Sequence, residues 1–359
     1  MMEDTFSPKW LSPPGDTIAD LMGERSVSLG SLASRLACSP SELQDLIVGE
    51  TRLTSRLADA LMEHLGGSKE FWLRRDHLYW EERGKVDIGS ASKGWLQTLP
   101  IRDMRRWGWL GDAATKEEIL SSCLAFFGVR DVLSWHLQYK NLLQTAAFRT
   151  SPTYSSESAS VLAWLRQGEI QAERIHCARW NPTGLERSLP ALRKLTRKRS
   201  PSSFLPELIG ICAANGVAFS LARCPSGCRA SGAARFLGSG KASITLSFRY
   251  LTDDHFWFTL FHEIGHLLLH SEDSLFIEDG AAADSREKEA NGFASCTLIP
   301  EELAEELPGL PTDRLSVRAF ARRAGVSPGI VVGQLQHHKL LRYNELNALK
   351  VHYAWGDCG

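Results

Sequence analysis

The sequence predicts an α+β chain that is mostly helical and carries one small β-sheet. Three observations lead to this fold class. Amphipathic segments with a helical spacing of apolar residues follow one another from Gly15 to about Gly66 and continue to residue 150. Two segments rich in Val, Ile, Thr and Phe, VAFSLAR and KASITLSFRY, are typical of strands. From Thr252 onward the spacing of apolar residues is helical again.

Composition limits the classes of protein and partner. The chain has 359 residues, 43% of them hydrophobic, which is enough for more than one core. A formal net charge of -1 gives no overall attraction to nucleic acid or to an anionic membrane. The eight cysteines are scattered, the first residues do not resemble a signal peptide, and every apolar run falls short of the roughly 18 residues of a membrane span. We therefore expect a soluble, reduced, cytoplasmic protein without a membrane partner.

Changes of pattern along the chain predict three domains. Short helices ending at glycines make up an all-α domain over residues 1–95. A helical connecting region follows over residues 96–200, in which the Ser-rich stretch RTSPTYSSESAS is interpreted as the capped start of a helix. Residues 201–359 contain both strand-like segments and the later helices. This third segment is the predicted α+β domain.

The segment FTLFHEIGHLLLH carries the strongest chemical signal. His262 and His266 are four residues apart, so on a helix both imidazoles lie on one face and can reach a single ion. Zinc accepts such nitrogen ligands and keeps an open position for water in catalytic sites. Glu263 can then act as the general base that takes a proton from this water. The alternative is a buried helix with hydrogen-bonded histidines, but the capping residues and the apolar opposite face favour the zinc site.

A third ligand is needed from elsewhere in the chain. His270 is unsuitable, because ligands at positions i, i+4 and i+8 extend over about 12 Å of helix and cannot converge. The downstream segment SREKEANGFASC offers Glu287 and Glu289, either of which could also be an ordinary solvated charge. Spacing alone leaves both glutamates open.

These motifs together resemble the ImmA/IrrE family of bacterial metallopeptidases, over roughly residues 201–353. The family pattern of HExxH, ExxAN, FA and a closing proline matches at His262, Glu263, His266, Glu287, Ala290, Asn291, Phe293, Ala294 and Pro300. The resemblance implies a gluzincin-like domain in which Glu287 is the third zinc ligand and Asn291 supports the site. It also implies Zn²⁺ as cofactor and cleavage of a transcriptional repressor.

Substrate contacts are less well defined by the sequence. The segment SGAARFLGSGKASITLSF could form an exposed strand edge on which an extended substrate lies, and Gly232 would leave room for its backbone. A strand in the interior of the sheet is the equal alternative. Tyr250, His255 and His270 are candidates for stabilising an oxyanion.

The N-terminal helices resemble a Cro/repressor-type helix-turn-helix of the XRE, antitoxin-like class. The turn is predicted at Cys38 to Pro40, followed by the recognition helix SELQDLIVG. A core is predicted from Leu32, Leu36, Leu43, Ile47, Leu57 and Leu61. DNA contacts are predicted at Arg35, Ser41, Gln44, Arg52 and Arg56.

The charge of this region argues against DNA binding. Residues 1–95 carry 11 Lys and Arg against 15 Asp and Glu, whereas duplex binding draws on excess positive charge. Double-stranded DNA, a docked protein and a second copy of the chain therefore all stay candidate partners.

Two functional hypotheses follow. The first is a regulatory zinc endopeptidase that cleaves a repressor. The second is a DNA-binding regulator whose metal domain senses a signal without significant proteolysis. One further motif, CPSGC, has a CxxxC spacing and is interpreted as a surface turn rather than a structural zinc site, because no second pair lies nearby.

Overall fold

The computed structural model describes residues 13–25, 27–85, 88–145, 156–237, 240–270, 276–278 and 285–358. Most of the Ser-rich stretch interpreted as a helix start, residues 149–160, lies outside the described residues. The described chain is mostly helical with one small sheet, which confirms the α+β fold class.

The first half of the chain is helical. Its helices are α1 (Pro14–Glu24), α2 (Leu29–Arg35), α3 (Pro40–Ile47), α4 (Ser55–Leu65), α5 (Lys69–Lys85), α6 (Ile88–Thr98), α7 (Ile101–Arg106), α8 (Lys116–Phe127) and α9 (Val132–Thr145).

The second half combines helices with strands. The helices are α10 (Ser156–Arg174), α11 (Pro182–Leu195), α12 (Pro201–Ala214), α13 (Asp253–Leu269), α14 (Ser285–Leu298), α15 (Glu301–Ala304), α16 (Arg314–Ala324) and α17 (Pro328–His337). The strands are β1 (Val217–Leu221), β2 (Gly232–Leu237), β3 (Lys241–Leu246) and β4 (Phe276–Glu278). No helix in the described part of the chain combines the length and apolar character that a bilayer crossing requires.

Contacts divide the chain into two compact units. One comprises residues 1–98 and 110–142, and the other comprises residues 99–109 and 143–359. Units defined by contacts need not be separately folding domains. The domain boundaries at residues 95 and 200 therefore stay a prediction.

The N-terminal helices pack around a small apolar core. A capping box begins α3, in which the Ser39 hydroxyl accepts from the Glu42 N–H and the Glu42 carboxylate accepts from the Ser39 N–H. Of the predicted core, four residues are buried, whereas Ile47 and Leu57 lie partly exposed at its edge. The buried four are Leu32, Leu36, Leu43 and Leu61.

The sheet has the strand order β1-β3-β2-β4. β1 and β3 run parallel, and β2 is antiparallel to both β3 and β4. Of the two alternatives for this segment, the sheet interior holds for β3, which pairs on both sides, and for Gly232–Ala234 of β2, which pair with β4. Residues Arg235–Leu237 pair with β3 alone among the described strands. Strand order depends on long-range pairing, which local sequence does not encode.

Helices cover both faces of this sheet. The Thr245 side chain of β3 approaches Gly168 of α10 so closely that a Cβ on that glycine would lie 2.2 Å from Thr245 Oγ1. The neighbouring Ile244 and Leu246 point to the other face and join the core that contains α12 and α13. Helix α13 is therefore enclosed on most sides, and its side chains from Asp253 to Leu267 are almost all buried.

Candidate metal centre

Two adjacent helices supply the residues of the site. α13 carries His262, Glu263 and His266, and α14 carries Glu287. The helices pack closely at Gly265, where a Cβ would lie 3.3 Å from the Cα of Ala290. An added Cβ at position 265 would press on Phe293 and Ala290 of α14, so this glycine allows the close approach of the two helices that carry the ligands.

The three potential ligands converge on one point. His262 Nε2 lies 2.9 Å from His266 Nε2, and the two nitrogens lie 3.2 and 3.3 Å from the carboxylate oxygens of Glu287. Zinc bonds of about 2.0–2.1 Å at tetrahedral angles require ligand atoms about 3.3 Å apart. The donor set and its spacing therefore fit a metal ion held by two imidazoles and a carboxylate.

Asn291 orients the first imidazole. Its Oδ1 lies one turn of α14 beyond Glu287 and is 3.0 Å from His262 Nδ1. Because an amide oxygen only accepts, Nδ1 carries the hydrogen and Nε2 carries the lone pair that faces Glu287. Such partners fix the tautomer and orientation of metal-binding histidines.

The protonation states suit metal binding. Burial lowers the pKa of His266, which favours the neutral imidazole. Burial by itself would raise the pKa of Glu287, but the neighbouring His262 and His266 lower it to about 2, so its carboxyl group is ionised at neutral pH. At neutral pH the site thus presents a carboxylate and a neutral imidazole, the forms that bind metal ions.

Glu263 is fully buried beside the ligands. The strand β2 reaches it at Gly232, where a Cβ would lie 2.4 Å from Glu263 Oε1 and 2.6 Å from the methyl group of Thr259. Only glycine fits between these two side chains without displacing them. Sequence reasoning linked Gly232 to substrate, and its contact with Glu263 depends on a strand pairing that the sequence did not reveal.

Among the other sequence candidates, His270 lies near a ligand, with its ring centroid 5.2 Å from that of His266. Glu289 is 59% exposed and lies 3.9 Å from His270, whose Nε2 contacts the carbonyl of Arg286 at 3.2 Å. Tyr250 stacks on His255 at the start of α13, with ring centroids 4.3 Å apart. The oxyanion roles suggested for Tyr250, His255 and His270 stay predictions.

A cavity of about 300 Å³ adjoins the site at Asn291. Its lining also includes Phe258 and His337, and the Phe258 ring lies 6.4 Å from that of His262 and 6.3 Å from that of His337. Sequence reasoning assigned no site to His337. No local signal marks it, because α17 reaches this place only through tertiary packing.

The residues predicted to contact DNA lie on the protein surface, unlike the buried histidines of the candidate metal centre. Arg35, Ser41, Gln44 and Arg52 are exposed. Arg56 is exposed as well, but its guanidinium donates to the carbonyls of Leu36 and Ala37 in the turn between α2 and α3. Arg56 therefore also stabilises the turn itself.

Comparison with known proteins adds an independent observation. A search of curated proteins found no match to the chain. Residues 230–336 match the family model described as the IrrE N-terminal-like domain of the M78 peptidases. This segment contains Gly232, the HExxH residues, Glu287 and Asn291. The match supports the resemblance to the ImmA/IrrE family and a metallopeptidase-type function for this part of the chain.

Proposed function

We propose that the chain is a regulatory zinc-dependent endopeptidase that cleaves a transcriptional repressor or a similar regulator. The observation that carries this proposal is the convergence of His262, His266 and Glu287 beside a buried Glu263. Two imidazoles and one carboxylate are a ligand set typical of catalytic zinc, which leaves a fourth position for water or substrate.

Each residue has a distinct role in the proposed reaction. A zinc ion held by the three ligands would polarise the scissile carbonyl and lower the pKa of the attacking water. Glu263 accepts the proton of that water and delivers it to the leaving amine. Asn291 keeps His262 in the metal-binding tautomer, and Gly232 leaves space for the Glu263 carboxylate.

The proposed substrate class rests on two features. The first is the match of residues 230–336 to a peptidase family model, which suggests a regulatory function. The chain also carries the N-terminal helices α1 to α4, proposed as a helix-turn-helix module that binds DNA or a partner protein. Such a module would bring the peptidase to a regulator bound at the same place.

A cleavage assay tests the proposal. The purified full chain, loaded with zinc, is incubated with repressor-like proteins encoded beside it, and products are identified by mass spectrometry. Glu263→Gln is expected to lower cleavage by a factor of about a thousand or more while zinc is retained, because the general base is lost and the ligands remain. Glu289→Gln, an exposed change on the neighbouring helix, is the matched control and is expected to cleave normally.

The same variants separate the alternative, a regulator whose metal domain is only a sensor. A sensor needs the ligands but not the base. If Glu263→Gln keeps full activity in cells while His262→Ala loses it, the hydrolytic mechanism is wrong and the sensor hypothesis is favoured.

A further inference from the structure

The loop between β1 and β2 brings two cysteines together. Cys224 Sγ lies 2.9 Å from Cys228 Sγ, and both residues are partly exposed. A tight turn produces this approach, since the Cys228 N–H donates to the Pro225 carbonyl at 2.9 Å and Gly227 adopts a φ of +85°. The turn therefore holds the two thiols side by side in a loop whose residues are partly exposed.

Further contacts hold the loop in this shape. The N–H and hydroxyl of Ser226 both donate to Asp103, at 2.7 and 2.8 Å, and Ser160 donates to the Ser226 carbonyl. The Arg249 guanidinium donates to the carbonyl of Arg229. The loop is thus anchored at several points around the two sulfurs.

The two thiols differ in their surroundings. A hydrogen bond from the Cys228 thiol lowers the pKa of Cys224, and the charge of Arg249 acts in the same direction. The same pairing, together with burial, raises the pKa of Cys228. These directions favour Cys224 as the thiolate of the pair, and Cys228 Sγ, 2.9 Å away, is within reach to attack it once it is oxidised.

We propose that Cys224 and Cys228 form a redox-active dithiol that hydroperoxides oxidise to a reversible disulfide. In the first step the Cys224 thiolate attacks one peroxide oxygen, the O–O bond breaks, and an alcohol leaves after taking a proton. In the second step Cys228 attacks the resulting sulfenic acid, the S–S bond forms, and the S–O bond breaks to release water. Two thiols are oxidised and one hydroperoxide is reduced to an alcohol and water.

The loop connects this pair to the metal centre. Cys224 Sγ donates to the Ala230 carbonyl at 3.2 Å, and the disulfide removes that donor. Two residues later Gly232 meets Glu263. Oxidation therefore perturbs the strand that confines the general base, an effect that rests on the proposed function.

Peptide mass spectrometry tests the disulfide without any reference to activity. The full chain is treated with tert-butyl hydroperoxide, its remaining thiols are alkylated, and trypsin releases the peptide CPSGCR with both cysteines. We expect this peptide to lose two hydrogens, to escape alkylation, and to recover both thiols with dithiothreitol. Dialkylated CPSGCR at an oxidant level that oxidises the exposed Cys296 would overturn the proposal.

Single variants test the assigned order of attack. Cys228→Ser is expected to leave Cys224 as a sulfenic acid that dimedone traps. If dimedone labels Cys228 in Cys224→Ser at a higher yield than it labels Cys224 in Cys228→Ser, the assignment of Cys224 as the nucleophile is wrong. Cys296→Ser is the matched control and is expected to leave oxidation of the pair unchanged.

A cleavage assay tests the coupling to the metal centre. Oxidised protein is expected to cleave about tenfold more slowly, because small displacements of catalytic groups have effects of this size. Dithiothreitol should restore the rate, and Cys224→Ser/Cys228→Ser should not respond to peroxide. Equal rates for oxidised and reduced protein would contradict the coupling. Absence of cleavage in the reduced protein would instead contradict the proposed function, while the peptide result would stand.

Discussion

The metal centre and the N-terminal helices contain the two sets of residues that the sequence singled out, and they differ in how the fold treats them. His262, Glu263 and His266 are buried, and the two histidines meet Glu287 within a few ångströms. Arg35, Ser41, Gln44 and Arg52 are exposed. Buried polar groups are positioned by the protein itself, whereas exposed ones acquire positions only with a partner. The largest effects of substitution are therefore expected in the C-terminal region.

The largest effect concerns the stability of that region. Burial raises the pKa of Asp253, at the start of α13, to about 6, although Ser327 and the Val351 N–H donate to it. A raised pKa in the folded state means that the contribution of Asp253 to stability is present below about pH 4 and is lost as the pH rises through 6. Between about pH 4 and pH 6 the free energy of unfolding of the wild type should therefore fall by roughly 3 kcal/mol relative to that of Asp253→Asn. Urea unfolding from pH 4 to 7 measures the difference.

Asp313 provides the control with the opposite sign. It is exposed and caps α16, and hydrogen bonds from Ser316 lower its pKa. Its contribution to stability is therefore present at neutral pH and is lost as the pH falls below about 4. If the difference in free energy of unfolding between wild type and Asp253→Asn does not change with pH, the pKa of Asp253 is not raised in the folded protein.

The next effect concerns Gly232→Ala. The added Cβ would lie 2.4 Å from Glu263 Oε1, so the carboxylate must move. We expect cleavage to fall about a hundredfold, because a catalytic group displaced by about 1 Å has this effect, while the zinc content stays the same. Gly292→Ala on α14 is the control, because a Cβ added there would meet no atom of another described segment within 4 Å. A Gly232→Ala rate within twofold of wild type would mean that Glu263 has room to adjust.

A smaller effect is expected for Asn291→Ala. Loss of the Asn291 oxygen leaves the orientation of His262 undetermined, so zinc affinity should fall about tenfold. Competition with a fluorescent chelator measures this affinity. Asn291→Asp retains the acceptor and should preserve it. Equal affinity in the wild type and Asn291→Ala would show that packing alone orients His262.

The smallest effect is expected in the N-terminal region. If the helices bind DNA, Arg35→Ala should weaken binding only severalfold and reduce the slope of affinity against salt by about one, because one phosphate contact is lost. Gel shifts of the full chain with its own promoter at several salt concentrations provide the measurement. A wild type that gives no salt-sensitive shift would leave protein docking or dimerisation as the role of these helices.

The sequence predicted the parts of the site that depend on local spacing. His262 and His266 could be paired because a helix repeats within four residues, and α13 confirms that helix. Glu287 could be separated from Glu289 only through the family resemblance, because the packing of α14 decides which glutamate faces the histidines. The contacts of Gly232 with Glu263 and of His337 with Phe258 depend on the packing of distant segments, which no local pattern encodes.

The central claim is that His262, His266 and Glu287 hold one zinc ion, and zinc analysis of three proteins tests it most directly. Wild type, Glu287→Ala and Glu289→Ala are purified identically, checked for folding by circular dichroism, and analysed by atomic emission. We predict one zinc per chain in wild type and Glu289→Ala, and little zinc in Glu287→Ala. Zinc in Glu287→Ala at the level of wild type would contradict the account.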